Sequence, residues 1–149
     1  MSLAEKICLS AAFLFFMTGL ITGIWKYRHI AKSEDASSPV YVDIAHRSSL
    51  LYSFAALLLA AFSSYSIWRA PINVAAAVSA LAFFALAIGT YVLHGLLQDT
   101  DNQLRRPHRL GGRLLPPWLT GLFMVLLIAA EVGGALVLGA GAMLGIWNG

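Results

Sequence analysis

The sequence predicts an all-α membrane protein: four transmembrane helices in an antiparallel bundle, with both termini on the outer, periplasmic side. Two observations indicate this fold class. Hydrophobic residues make up 59% of the 149 residues and charged residues only 11%, whereas soluble globular chains are about 25% charged. The apolar residues also gather in four runs of about 19 residues or more, which is enough for a helix to span a bilayer core of about 30 Å.

The four predicted helices lie in a single domain, residues 1–149, and cover residues 7–25, 48–68, 72–97 and 118–147. Lipid offers the backbone no hydrogen-bond partners, so each run is expected to satisfy its own backbone as a helix. The first run ends in the cationic stretch 25–28 rather than at a small-residue cleavage site, which indicates a membrane helix and not a signal peptide. Only residues 69–71 separate the second and third runs, which predicts a tight antiparallel hairpin.

Positive charges predict the orientation of the bundle. Eight of the ten Lys and Arg residues fall in the first and third loops, namely Lys26, Arg28, Lys32, Arg47, Arg105, Arg106, Arg109 and Arg113. The positive-inside rule places these loops in the cytoplasm, and a bacterial inner membrane is expected. The net charge of +3 is therefore a topology signal, and no binding to nucleic acid is expected. Tryptophans near the run ends fit interfacial anchors: Trp25, Trp68, Trp118 and Trp147.

Small residues crowd the last part of the fourth helix. Gly141 and Gly145 have GxxxG spacing, and Gly133, Gly134 and Gly139 lie nearby. Such a face allows another helix to approach closely. It is consistent either with packing inside the bundle or with assembly into a homo-oligomer or a larger membrane complex.

All four histidines are predicted to lie at the cytoplasmic end: His29, His46, His94 and His108. His46 precedes the second apolar run. Its imidazole can ligate a metal or haem iron, with Asp43 three residues earlier as the acceptor that orients the ring. The alternative is a boundary residue that caps the second helix beside Ser48 and Ser49.

Two further positions carry polar groups into the membrane. Tyr91 and His94 share one face of the third helix, where they either bind a substrate or form a buried hydrogen bond that fixes the hairpin. Glu131 lies thirteen residues beyond Trp118, about 20 Å into the membrane. A charged carboxyl there costs roughly 2.5 kcal/mol or more, so Glu131 is expected to be protonated or to have an interior partner, with a functional or a structural role.

Two short matches resemble a known family. Ala45-His46 at the start of the second helix and Gly89-Thr90-Tyr91 near the end of the third are similar to motifs of the small four-helix membrane isomerases that include styrene oxide isomerase and hydroxylaminobenzene mutase. The resemblance implies a trimer with haem b between subunits, His46 as the axial ligand of the haem iron and Tyr91 as a substrate-binding hydroxyl. The chain departs from the family pattern after the histidine, where Tyr52 occupies the place of the active-site asparagine.

The resemblance leads to a specific expectation of function. The chain is expected to be a haem-dependent isomerase that acts as a Lewis acid on an epoxide or similar oxygen of a small apolar substrate, with Tyr91 or Tyr52 stabilising the developing charge. The alternative is a non-catalytic accessory or assembly subunit of a larger membrane complex, with or without haem. A transporter is disfavoured because no inverted repeat or Pro-broken helix pair is visible.

Overall fold

The computed structural model describes residues 1–148 and confirms the all-α bundle. Its elements in chain order are α1 (Leu3–Ile30), α2 (Val40–Tyr65), α3 (Ala70–Leu97), β1 (Arg109–Leu110), β2 (Arg113–Leu114) and α4 (Pro117–Asn148). All four helices are long and apolar enough to cross a membrane. Consecutive helices run antiparallel, because contacts that move forward along one helix move backward along the next. The contacts that show this are Gly19–Leu50 and Gly23–His46, Tyr41–His94 and Tyr52–Phe84, and Phe83–Phe123 and Ala76–Gly134.

The second helix begins eight residues before the predicted start. Pro39 is the N-cap of α2, and Tyr41, Val42 and Ala45 are buried in its first turns. The hydropathy pattern misses this segment because it contains Asp43, which is charged and only partly buried. The segment is amphipathic, and its apolar face packs on the bundle. His46 therefore lies in the second turn of α2 and does not mark its boundary.

The core is built from small side chains at the helix crossings. α1 packs mainly on α2, and α4 packs on α3 and α2, so α2 and α3 form the centre of the bundle. Alanines dominate the buried set, together with a few larger residues: Ala4, Cys8, Ala12, Ala56, Leu59, Ala77, Ala80, Phe84 and Leu138. Small residues let backbones approach closely, which is the usual means of helix association in lipid.

Three glycines of α4 pack against other parts of the same chain. Gly134 lies against the backbone of Ala76 in α3, and Gly145 lies against the backbone of Tyr65 at the end of α2. Gly141 accommodates the Trp68 ring, whose Nε1 donates a hydrogen bond of 2.8 Å to the Val137 carbonyl. The small-residue face of α4 therefore packs within the bundle, which is the first of the two alternatives that its sequence allows.

The tryptophans divide into two pairs. Trp118 and Trp147 are largely exposed, at 66% and 82%, as interfacial anchors are. Trp25 packs over Gly95 of α3, and Trp68 packs on α4, so both help to close the bundle. Loop 3 (98–116) carries the short antiparallel hairpin β1–β2, whose turn includes Gly111 at φ 60°, a conformation that favours glycine.

Candidate functional site

His46 is held against α1 by one hydrogen bond. Its Nδ1 lies 2.8 Å from the carbonyl oxygen of Gly19. A carbonyl oxygen only accepts, so Nδ1 carries the proton and Nε2 of the neutral ring keeps a free lone pair. Gly23 makes room for the ring, because a Cβ there would lie 2.9 Å from Cε1 of His46. Within residues 1–148, Nε2 of this ring has no hydrogen bond.

Asp43 does not supply the orienting acceptor for His46. Its carboxylate pairs with Nζ of Lys26 and, at 3.1 Å, with Nε of Arg47. Both cations attract the carboxylate more strongly than a neutral imidazole does. The backbone carbonyl of Gly19 takes the role expected of Asp43, and a backbone acceptor leaves no trace in side-chain spacing.

Three polar side chains from three helices lie near one another where α2, α3 and α4 meet. They are Tyr52 of α2, Tyr91 of α3 and Glu131 of α4. The Tyr52 ring stacks on Phe84, with centroids 4.3 Å apart. Within the described chain, Oε1 of Glu131 is buried without a hydrogen-bond partner. These groups form a polar cluster inside the membrane-spanning bundle.

Tyr41, which the sequence analysis missed, connects Tyr91 to His94. Its ring stacks on Tyr91 at 6.2 Å and lies 5.0 Å from the His94 ring. Its hydroxyl accepts a hydrogen bond from the backbone N–H of Gln103 in loop 3. Tyr41 was overlooked because it precedes the apolar run, in the part of α2 that hydropathy did not detect.

His94 pairs with the loop that follows its own helix. Its Nδ1 lies 2.7 Å from Oδ1 of Asp99, and both side chains are about nine-tenths buried. The second oxygen of Asp99 accepts from the backbone N–H of Gly111. Burial alone raises the pKa of Asp99, but the hydrogen bonds from His94 and Gly111 outweigh it and hold that pKa below its usual range. The sequence predicts that a buried hydrogen bond of His94 fixes the α2–α3 hairpin. In the structure its bond to Asp99 fixes loop 3 instead.

His46 and the tyrosine cluster line different interfaces of the chain. His46 faces α1, whereas Tyr52 faces α3 and α4. The four histidines do share one end of the bundle: His29 is in the last turn of α1, and His108 lies buried in loop 3. Over residues 1–148, no three or more His, Cys, Asp or Glu side chains gather as metal ligands.

No protein-family model matches the chain, and no curated protein or solved structure shows a significant similarity to it.

Proposed function

We propose that the chain is a haem-binding membrane isomerase in which Nε2 of His46 is the axial ligand of the haem iron. The main support for the proposal is the hydrogen bond between Nδ1 of His46 and the carbonyl oxygen of Gly19. Metal-ligating histidines usually donate their other ring N–H to a carboxylate or backbone carbonyl, which fixes the tautomer and raises the basicity of the ligating nitrogen.

The donor set of the chain fits haem better than a bare metal ion. A metal held only by protein needs several side chains together, and no such group occurs over residues 1–148. Haem needs one axial side chain from the protein. His46 is half-buried, and its ring packs on Gly23 of α1.

Haem b, when bound, would supply a Lewis acid for an epoxide or similar oxygen of a small apolar substrate. The tyrosine hydroxyls would then donate hydrogen bonds to the oxygen as charge develops on it. Tyr52 and Tyr91 are the proposed donors, because the two side chains lie near each other and near Glu131. The stacked Phe84 ring and the surrounding apolar helices keep water away from this cluster and strengthen its hydrogen bonds.

The proposal requires more than one copy of the chain. His46 packs on α1, whereas Tyr52 and Tyr91 lie where α2, α3 and α4 meet, so we propose that a site using all of them forms between neighbouring copies. A closed homo-oligomer, proposed as a trimer, would bring the His46 face of one copy to the tyrosine side of the next. In this proposal loops 1 and 3 face the cytoplasm of a bacterial inner membrane.

An absorption spectrum of the purified, haem-replete protein tests the proposal. We expect a Soret band that His46→Ala abolishes, because the variant lacks the axial nitrogen. His29→Ala is the matched control: it removes a histidine from the same end of the bundle, half-buried at the end of α1, and should leave the band unchanged. A haem-replete wild type without a Soret band would contradict the proposal.

A second candidate is a non-catalytic accessory subunit, and the exposure of α4 favours it. Only Gly134, Leu138, Gly141 and Ala142 of its 32 residues are buried, so most of the helix is available to lipid or to a partner. Turnover of an aryl epoxide separates the candidates. An isomerase converts it to a carbonyl product, whereas a passive haem carrier shows the Soret band without turnover.

A further inference from the structure

A cavity of about 300 Å³ lies where α3 ends, loop 3 folds back and α4 begins. Its volume is at the lower end of the range of about 300–1,000 Å³ that ligand pockets occupy. One wall is apolar and belongs to the two helices, with Leu93 from α3 and Leu119, Phe123 and Met124 from α4. Leu93 and Leu119 are about 40% exposed, so this wall continues onto the membrane-facing surface.

A few polar side chains interrupt this apolar lining. They are Thr90 and His94 of α3 and Gln103 and Arg109 of loop 3. His94 is buried and its Nδ1 is held by Asp99, so its ring is fixed in place and its Nε2 is not used by that bond. Arg109 forms no ion pair with any residue of the described range 1–148.

Among the described residues that line the cavity, Arg109 of β1 is the one Lys, Arg, Asp or Glu. Asp99, which pairs with the lining residue His94, also accepts a hydrogen bond from Gly111 and forms no ion pair with Arg109. The cavity therefore offers a cation without a counter-ion at the point where an apolar helix face meets a loop. A ligand that fits needs an anionic group joined to apolar chain, and acidic lipids present that chemistry at the membrane surface.

We infer that this cavity binds the headgroup of an acidic phospholipid, with the phosphate at Arg109 and the first carbons of the acyl chains along Leu93, Leu119 and Phe123. The guanidinium matches phosphate geometry with paired N–H donors. The His94 ring provides a rigid polar surface beside it. This binding site is separate from the tyrosine cluster and from His46, and it does not depend on whether the chain binds haem.

Binding to delipidated protein in neutral detergent tests the inference, with dioleoylphosphatidylglycerol as the probe. Dioleoylphosphatidylcholine has the same chains without net charge, oleate has a carboxylate on one chain, and inorganic phosphate has no chain. We expect the acidic phospholipid to bind most tightly. Equal binding of phosphatidylcholine would overturn the inference, and so would tighter binding of oleate or of free phosphate, since each would show that another ligand chemistry is recognised.

Substitutions in the β1–β2 hairpin test whether the acidic phospholipid binds in this cavity. Arg109→Gln should weaken binding of phosphatidylglycerol about tenfold or more, because a charge-assisted hydrogen bond is lost, while Arg109→Lys should retain part of the affinity. Arg113→Gln removes the same charge from the paired strand outside the cavity and should change the affinity less than about twofold. Equal losses in the two glutamine variants would show unspecific attraction to loop 3 and overturn the inference. Unchanged elution and helical circular dichroism serve as the check on folding.

Discussion

At the residue scale, Asp99 is the side chain that ties loop 3 to the bundle. It accepts from His94 at the end of α3 and from the backbone of Gly111 in the β1–β2 turn. Both partners are N–H donors, so the carboxylate is the only group that can satisfy them together at this position. His94, the partner of Asp99, also lines the cavity between α3, loop 3 and α4.

Replacing this carboxylate should loosen loop 3. Asp99→Asn is expected to lower the free energy of unfolding by about 1.5–3 kcal/mol, because hydrogen bonds to a charged group are lost. Thermal unfolding in detergent at neutral pH measures the effect. Asp101→Asn is the control, since it makes the same change two residues away at an exposed side chain, and an equal loss in both variants would contradict the role of Asp99.

The same contact predicts a dependence on pH. The pKa of Asp99 is lowered in the folded chain, chiefly by the hydrogen bonds from His94 and Gly111 that outweigh burial. A carboxyl with a lowered pKa stabilises the fold fully above its unfolded pKa of about 3.9, and this contribution is lost as the pH falls through the folded pKa. Wild type should therefore lose more thermal stability on acidification than Asp99→Asn. Parallel losses would contradict the assignment.

At the element scale, α4 depends on glycine where it meets the rest of the chain. Gly134, Gly141 and Gly145 recur along the face that packs on α3, on Trp68 and on the end of α2. The remaining faces of α4 carry exposed apolar side chains such as Val125, Val132 and Leu136. The helix is thus attached along a narrow strip of small residues, and close approach replaces side-chain interdigitation there.

A pair of adjacent glycines tests this attachment. Gly134→Leu should destabilise the bundle by about 1–3 kcal/mol or displace α4, because the new side chain would meet the Ala76 backbone and Ala80. Gly133→Leu is the matched control: a Cβ there meets nothing within 4 Å, and leucine favours helix by up to about 1 kcal/mol over glycine. Thermal unfolding in detergent should separate the two variants, and equal behaviour would show that α4 is held elsewhere.

At the scale of the whole molecule, α2 separates the two groups of residues that the proposed reaction needs. His46 contacts α1 through Gly19 and Gly23. Tyr52 and Tyr91 lie near each other and near Glu131, where α2, α3 and α4 meet. In the proposed isomerase, His46 of one copy and Tyr52 and Tyr91 of another copy form one site.

Mixing two defective variants tests this arrangement. His46→Ala and Tyr91→Phe should each be inactive alone as homo-oligomers, yet random mixed oligomers should recover activity at about a quarter of the sites, those with an intact histidine and an intact tyrosine from different copies. Epoxide turnover after co-expression measures the recovery. A mixture as inactive as either variant would contradict a site shared between copies, while leaving the Soret test of His46 as a separate measurement.

The sequence by itself determined the number of membrane-spanning helices, their order and their antiparallel arrangement. These follow from the length of apolar runs and from the absence of backbone partners in lipid, and both properties are local. Both ends of α1 and the start of α2 lie outside the predicted bounds, because hydropathy does not register amphipathic turns such as residues 40–47, whereas α2 ends at Tyr65, three residues before its predicted end.

Only the tertiary structure decided which polar groups meet. The proximity of Tyr52 to Glu131, the ring contact of Tyr41 with His94 and the hydrogen bond of His46 to the Gly19 carbonyl all join residues on different helices. Their side chains and backbone atoms come together through the rotation of each helix about its axis and the depth at which helices cross. Those quantities depend on the packing of small residues over the whole bundle, which no single run of sequence contains.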